Sequence, residues 1–194
     1  MHFFRNIKND KLREITSELA ERINPESINV PFDVNGDDFG IVTDIETELF
    51  SDVIECLHLK EYVLKTEFFR IYPKKYIPLH KDHGIGTYSL GIGIHNSDQL
   101  YMLQLHKKYE SFFDNASKYF EVKSINRHIQ SPHGLDLFGL QLETISKFCE
   151  QKCIIGDDAI LTNTKDNYHS AANFGDKEAW MISFRLNEKY FSFK

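Results

Sequence analysis

The residue types most able to do chemistry gather in one short run, Tyr76-Ile77-Pro78-Leu79-His80-Lys81-Asp82-His83-Gly84. His80 and Asp82 stand two apart, so on an extended strand both side chains point to the same face. An imidazole and a carboxylate offered together supply two legs of a metal site. Nine His and fourteen Asp in 194 residues give about 0.65 such pairs by chance. The pair by itself therefore reads as a His hydrogen-bonded to a neighbouring carboxylate.

The downstream sequence changes that balance. Gly156-Asp157-Asp158-Ala159-Ile160-Leu161 reads as a turn into a strand, and Asn167-Tyr168-His169-Ser170-Ala171-Ala172-Asn173 follows it. A turn at Phe174-Gly175-Asp176-Lys177 leads to a final strand over 179–186, which carries Arg185 sixteen residues after His169. Parity sorts that strand. Trp180, Ile182, Phe184 and Leu186 make one large apolar face, so Arg185 shares the other with Met181 and Ser183. If that other face is solvent, Arg185 is a surface cation. If it lines a barrel interior, Arg185 needs an anionic partner.

His80-x-Asp82, the distant His169 and Arg185 on a last strand together resemble the Fe(II)- and 2-oxoglutarate-dependent oxygenase superfamily. The resemblance covers roughly residues 61–190. Phe69-Arg70-Ile71-Tyr72-Pro73 ahead of His80-Lys81-Asp82 is similar to the approach strand of prolyl-hydroxylase-like members. Gly156-Asp157, His169-Ser170, Asn173, Gly175-Asp176 and Ser183-Phe184-Arg185 are similar to their C-terminal half. The resemblance implies a double-stranded β-helix (a jelly-roll, cupin-like), with His80, Asp82 and His169 as Fe(II) ligands. It also implies 2-oxoglutarate as co-substrate, chelated by the metal through its 2-oxo acid end and paired at its far carboxylate with Arg185. O2 would be consumed, and the keto acid would leave as succinate and CO2. Collagen-type prolyl hydroxylases usually place Lys where this chain has Arg185, which moves the resemblance toward the wider superfamily.

The physical chemistry agrees. Two His and one carboxylate on one side of a metal leave three positions open, an arrangement suited to non-haem iron handling O2. Arg185 would hold a carboxylate by a bidentate fork. Tyr72, eight residues before His80, occupies a position where related proteins often touch the co-substrate, and Ser183 is a further cofactor-binding candidate. Asn173 fits either a group orienting the site or a turn, and Arg70 either a contact or a plain strand residue. His83 alternates away from the pair.

The elements that must position these groups fall into two textures. An N-terminal part (1–60) reads as helical support. Asn9 or Asp10 caps a helix with Leu12, Ile15, Leu19 and Ile23 on one face, ended by Pro25. Thr43-Asp44-Ile45-Glu46 is a capping-box pattern opening a second helix through Phe50, Val53, Ile54 and Leu57. Beyond residue 61 the sequence turns to strands, expected over 61–72, 87–95, 99–105, 119–129, 153–163 and 178–187, with a helix between 136 and 150. Strands at short spacing after helices give a β-sandwich or barrel with helices on one side. The expectation is one domain over 1–194, with its core at 61–190 and an insert at 107–151.

Lys and Arg number 23 against 29 Asp and Glu, a net charge of −6, which argues against nucleic acid or an anionic membrane as the main partner. The start lacks the apolar core of a secretory signal, and no apolar run is long enough to span a bilayer. Cys56, Cys149 and Cys153 form no CxxC unit, so free thiols in a reducing cytoplasm are expected. The substrate expected is a small molecule or a peptidyl amino acid. The other readings are a cupin-like metal dioxygenase that uses no keto acid, to which His169 and Asn173 fit, and a jelly-roll binding module without catalysis.

Overall fold

Strands that are apolar on both faces have to be covered on both sides, and the second half of this chain is built from such strands. A computed structural model describes residues 4–23, 40–77, 79–82, 86–119, 123–125, 128–130, 142–154 and 158–193. Along the chain run β1 (Phe4–Lys8), α1 (Leu12–Arg22), β2 (Gly40–Ile45), α2 (Ser51–Cys56), β3 (Val63–Ile71), β4 (Tyr88–His95) and β5 (Leu100–Leu105). There follow α3 (Glu110–Tyr119), β6 (Lys123–Ile125), β7 (His128–Gln130), α4 (Leu142–Ile145), β8 (Cys149–Cys153), β9 (Asp158–Asn163), β10 (His169–Asn173) and β11 (Ala179–Leu186).

The large sheet has the order β1-β9-β4-β11-β3-β2, and the small sheet β10-β5-β8. Isolated antiparallel bridges at Tyr76–Ala172 and His80–His169 lay Tyr76 and His80 along the open side of β10. From β3 onward the chain crosses between sheets: large, then small at Tyr76 and His80, large at β4, small at β5 and β8, large at β9, small at β10, large at β11. That winding is a double-stranded β-helix, or jelly-roll.

Alternation then assigns three apolar layers. Phe68, Leu90, Ile92, Ile182, Phe184 and Leu186 face outward from the large sheet onto Leu12 and Leu19 of α1 and Val53 and Ile54 of α2. Phe69, Ile71, Met181 and Ile160 face the other way, between the sheets, where Met102, Leu100 and Ala171 of the small sheet meet them. The small sheet's outer face, with Leu103, Leu105 and Ala172, is covered by Phe113 of α3 and by Leu142 and Ile145 of α4. The parity expected for β11 holds: Ile182, Phe184 and Leu186 lie on the helix side, and Met181, Ser183 and Arg185 turn between the sheets.

Several local expectations are corrected. Phe4–Lys8 is a strand paired with β9, and the stretch with the capping-box pattern is strand β2, paired with β3 from Gly40↔Ile71 to Ile45↔Thr66. Gly40 sits at φ 147°, where a Cβ would lie 1.9 Å from the Arg70 carbonyl oxygen, so that corner requires glycine. The helix expected there begins only at Ser51, after a 3₁₀ turn over Thr47–Phe50. Partnership with β3 outweighs the local helix signal. Of the strand expected over 153–163, Cys153 ends β8 of the small sheet and 158–163 is β9 of the large one, and β8 begins at Cys149, where the expected helix still ran to 150. Residues 131–141, the start of the expected helix, lie outside those described, as do Pro25 and His83. No helix among the described residues is long and apolar enough to cross a membrane.

Two measurements check this packing. Phe184 is fully buried and meets Phe50 edge-to-face with ring centroids 6.3 Å apart, so Phe184→Ala should cost about 3–5 kcal/mol in urea unfolding. Burial pushes the Cys149 thiol up to about 12, so at pH 8 Cys149 should stay unlabelled by a disulfide reagent until the protein unfolds.

Candidate metal centre

The bridge between His80 and His169 is reciprocal. The His80 N–H donates to the His169 carbonyl (3.1 Å) and the His169 N–H to the His80 carbonyl (2.9 Å). Two residues exchanging both backbone bonds are held directly opposite each other. One strand step further, the Asp82 N–H donates to the Thr164 carbonyl at 2.9 Å. Alternation puts Asp82 on the same face as His80, and the three side chains converge with their ligand atoms all within 4.8 Å of one another.

His80 Nε2 lies 3.5 Å from Asp82 Oδ1, and His169 Nε2 lies 3.6 Å from Asp82 Oδ2. Bonds of about 2.1 Å put two ligands of one ion roughly 3.0 to 4.2 Å apart, so these separations suit a shared divalent cation. The donor chemistry suits one too. His169 Nδ1 lies 3.2 Å from the Asn167 carbonyl, which takes the Nδ1–H and leaves the Nε2 lone pair facing Asp82. Burial, then the neighbouring His80, hold the His169 imidazole well below its ordinary pKa, so it is neutral and free to coordinate.

The segments bearing the three residues are tied from behind. Tyr168 Oη donates to Asp114 of α3 at 2.9 Å, and the Lys81 ammonium sits 4.5 Å above the Tyr168 ring. Lys81 and Tyr168 each adjoin a member of the triad and point to the outer face, so α3 braces both.

Arg185 reaches the triad, but not unpaired. Its Nη1 contacts Asp82 Oδ2 and lies 3.4 Å from Thr164 Oγ1, while its Nε donates to Glu67 Oε2 at 2.7 Å. Glu67 also receives Lys65 Nζ at 2.7 Å, and Lys65 in turn meets Asp44 at 2.5 Å. Burial alone would raise the Glu67 carboxyl, but Arg185 and Lys65 outweigh it and hold it below the usual carboxylate range. The anionic partner expected from outside is thus supplied in part from β3.

The remaining candidates separate. Ser183 is buried two residues from Arg185 on the same face, hydrogen-bonded to Ser89. Tyr72 follows β3 at its other end. There Asn173 donates to the Ile71 carbonyl at 3.0 Å, four residues along β10 from His169, or about 13 Å. The backbone does not bring Tyr72 to the triad. Asn173 also donates to the Lys177 carbonyl at 2.7 Å and accepts from the Gly175 N–H at 2.8 Å, so it ties the β10–β11 turn. Arg70 is on the outward face, forked to Glu178 at 3.0 Å. Glu67 and Lys65 escaped sequence reasoning: they share the inward face of β3 with Phe69 and Ile71, but only register shows that they meet Arg185.

No family model matches the sequence, and no curated protein matches it. Solved structures do resemble the fold. A prolyl-4-hydroxylase from Pseudomonas putida aligns with TM-score 0.52 and 8% identity over 96% of this chain and 93% of its own. HygX from Streptomyces hygroscopicus, with nickel and 2-oxoglutarate bound, aligns with TM-score 0.53 and 10% identity over 94% of this chain and 81% of its own. The likeness is one of fold.

Removing Glu67 tests the buried pairing. Glu67→Ala strips a carboxylate from two enclosed cations and should cost about 3–5 kcal/mol. Lys65→Ala, nearer the surface beside Asp44, should cost less, and the difference is read from paired urea titrations.

Proposed function

We propose that this chain is an Fe(II)- and 2-oxoglutarate-dependent oxygenase, hydroxylating a small-molecule or peptidyl amino-acid substrate with O2. The observation that supports it most is the convergence of His80, Asp82 and His169 at one point of a jelly-roll interior, with Arg185 beside them. Iron held by the triad would supply oxidative decarboxylation of the keto acid coupled to substrate hydroxylation.

The chain's own residues would do the rest. Asn167 keeps the His169 Nε2 lone pair turned to the metal. Glu67 takes the Nε edge of Arg185, so a ligand carboxylate would be met by the terminal amino groups. Ser183 would support the same carboxylate from its neighbouring position. Charge balance favours an anionic ligand: Asp44, Glu67 and Asp82 exceed Lys65 and Arg185 by one negative charge, so a divalent cation leaves a net positive charge for an anion to offset. HygX, similar in fold, holds hygromycin B as well as nickel and 2-oxoglutarate in one structure, which supports a small-molecule substrate here.

One observation favours a second reading. Arg185 already has Glu67 and Asp82 as partners, which is what a cupin-like metal dioxygenase without a keto acid would show.

Calorimetry separates the two. The parent should bind one Mn(II) and, once loaded, 2-oxoglutarate; with Fe(II) and O2 it should form succinate. His169→Ala should lose metal binding with an unchanged circular dichroism spectrum. Arg185→Ala should keep the metal and bind 2-oxoglutarate about 30-fold more weakly or worse, for the loss of roughly 2 kcal/mol of charge-assisted hydrogen bonding. A parent that binds Mn(II) and ignores 2-oxoglutarate would favour the cupin-like reading.

A further inference from the structure

Two buried polar side chains between the sheets have no hydrogen-bond partner among the described residues. Gln104 is fully buried with both Nε2 and Oε1 unengaged, and Thr162 is fully buried with Oγ1 unengaged. Leaving such groups bare is costly, so each marks a place where a ligand or water belongs.

Their positions are not scattered. Gln104 stands directly opposite His169 in the β5–β10 register and shares the inward face with Met102 and Leu100. Thr162 stands opposite Ser89, which stands opposite Arg185, so one row crosses β11, β4 and β9 on the facing sheet. Gln104 is thus one strand from a triad histidine, and Thr162 two strands, about 10 Å backbone to backbone, from Arg185. Both lie at the polar end of the layer, where Arg185, Ser183 and Ser89 replace the apolar residues of the other end.

Arg185 leaves work for them. Its Nε is engaged by Glu67 and its Nη1 by Asp82. An oxo diacid at neutral pH presents acceptors only, and more of them than the remaining donors of one guanidinium can serve.

We propose that Gln104 and Thr162 are contact residues for the oxo acid, donating Nε2–H and Oγ1–H to its oxygens from the two sheets. This rests on the keto-acid reading above and adds to it a pair of neutral donors. The ligand is then recognised by hydrogen bonds on both sheets as well as by charge at Arg185.

The test is titration of 2-oxoglutarate into Mn(II)-saturated protein without O2, for the parent, Gln104→Met, Gln104→Glu, Thr162→Val and Thr162→Ser. Gln104→Met and Thr162→Val should each bind 2-oxoglutarate about tenfold more weakly. Their Mn(II) affinity should be unchanged, and their ligand-free melting temperature equal to the parent's or higher, because an unmet dipole has gone. Gln104→Glu keeps the shape but turns a donor into a charge facing a dianion, and should lose a hundredfold or more. Thr162→Ser keeps the hydroxyl and should stay within threefold of the parent. Parent-like affinity in Gln104→Met and Thr162→Val together would overturn the assignment and leave the keto-acid reading intact. A parent that binds Mn(II) but no 2-oxoglutarate would remove that reading, and this inference with it.

Discussion

A guanidinium enclosed between two sheets cannot remain without counter-charge, and its neutralisation organises everything around Arg185. The solution is a chain of alternating sign that runs from the surface inward: Asp44, Lys65, Glu67, Arg185, Asp82. Asp44 is 55% exposed on its side chain, whereas Glu67 is 8% exposed, so the series begins in water and ends beside the two histidines. Each inner member, from Lys65 to Asp82, has a partner on either side. Asp82 belongs to two systems at once, closing this series and standing in the triad. Any cation that draws on Asp82 therefore changes what Arg185 can offer to a ligand.

The fold holds that arrangement by dividing labour between its sheets. The small sheet carries His169, the segment facing it carries His80 and Asp82, and their register is set by the reciprocal bridge between His80 and His169. The large sheet carries Arg185, Ser183, Glu67 and Thr162 on its inner face, while its outer face rests on α1 and α2. On the far side of the small sheet, Asp114 of α3 ties Lys81 and Tyr168, which between them flank all three triad members. The interior is thus braced from both outer surfaces, and its polar end occupies one edge of an otherwise apolar layer.

Much of this was legible in the sequence, for a definable reason. Within a strand, period two tells which side chains share a face, and that sufficed to join His80 to Asp82 and to turn Arg185 away from Trp180, Ile182 and Phe184. Which strand lies beside which is another matter. Register is a property of two segments distant in sequence, so the meeting of Glu67 with Arg185, and of Gln104 with His169, left no local trace. The same limit explains the misread N-terminal third. Thr43 to Glu46 does carry a helix-opening pattern, but β3 offers that stretch a ladder of backbone bonds, and the ladder wins. Tyr72 shows the converse: the family resemblance implied a contact with the co-substrate, while the direction of β3 carries it to the end away from Arg185.

The pairing of β1 with β9 carries a consequence for how the molecule is assembled. Phe4 stands opposite Thr162 and Lys8 opposite Asp158, so the first strand finds its place only against one of the last. His80 must likewise wait for His169. Closing loops of this length is entropically demanding before any contact rewards it, and topologies dominated by such distant pairings fold slowly, on the order of milliseconds to seconds. On a ribosome, β1 and the run at 76–80 would emerge long before their partners, with edges bare and apolar faces uncovered. The interval between synthesis of Lys8 and of Asn163 is therefore the period in which this chain is most open to mispairing.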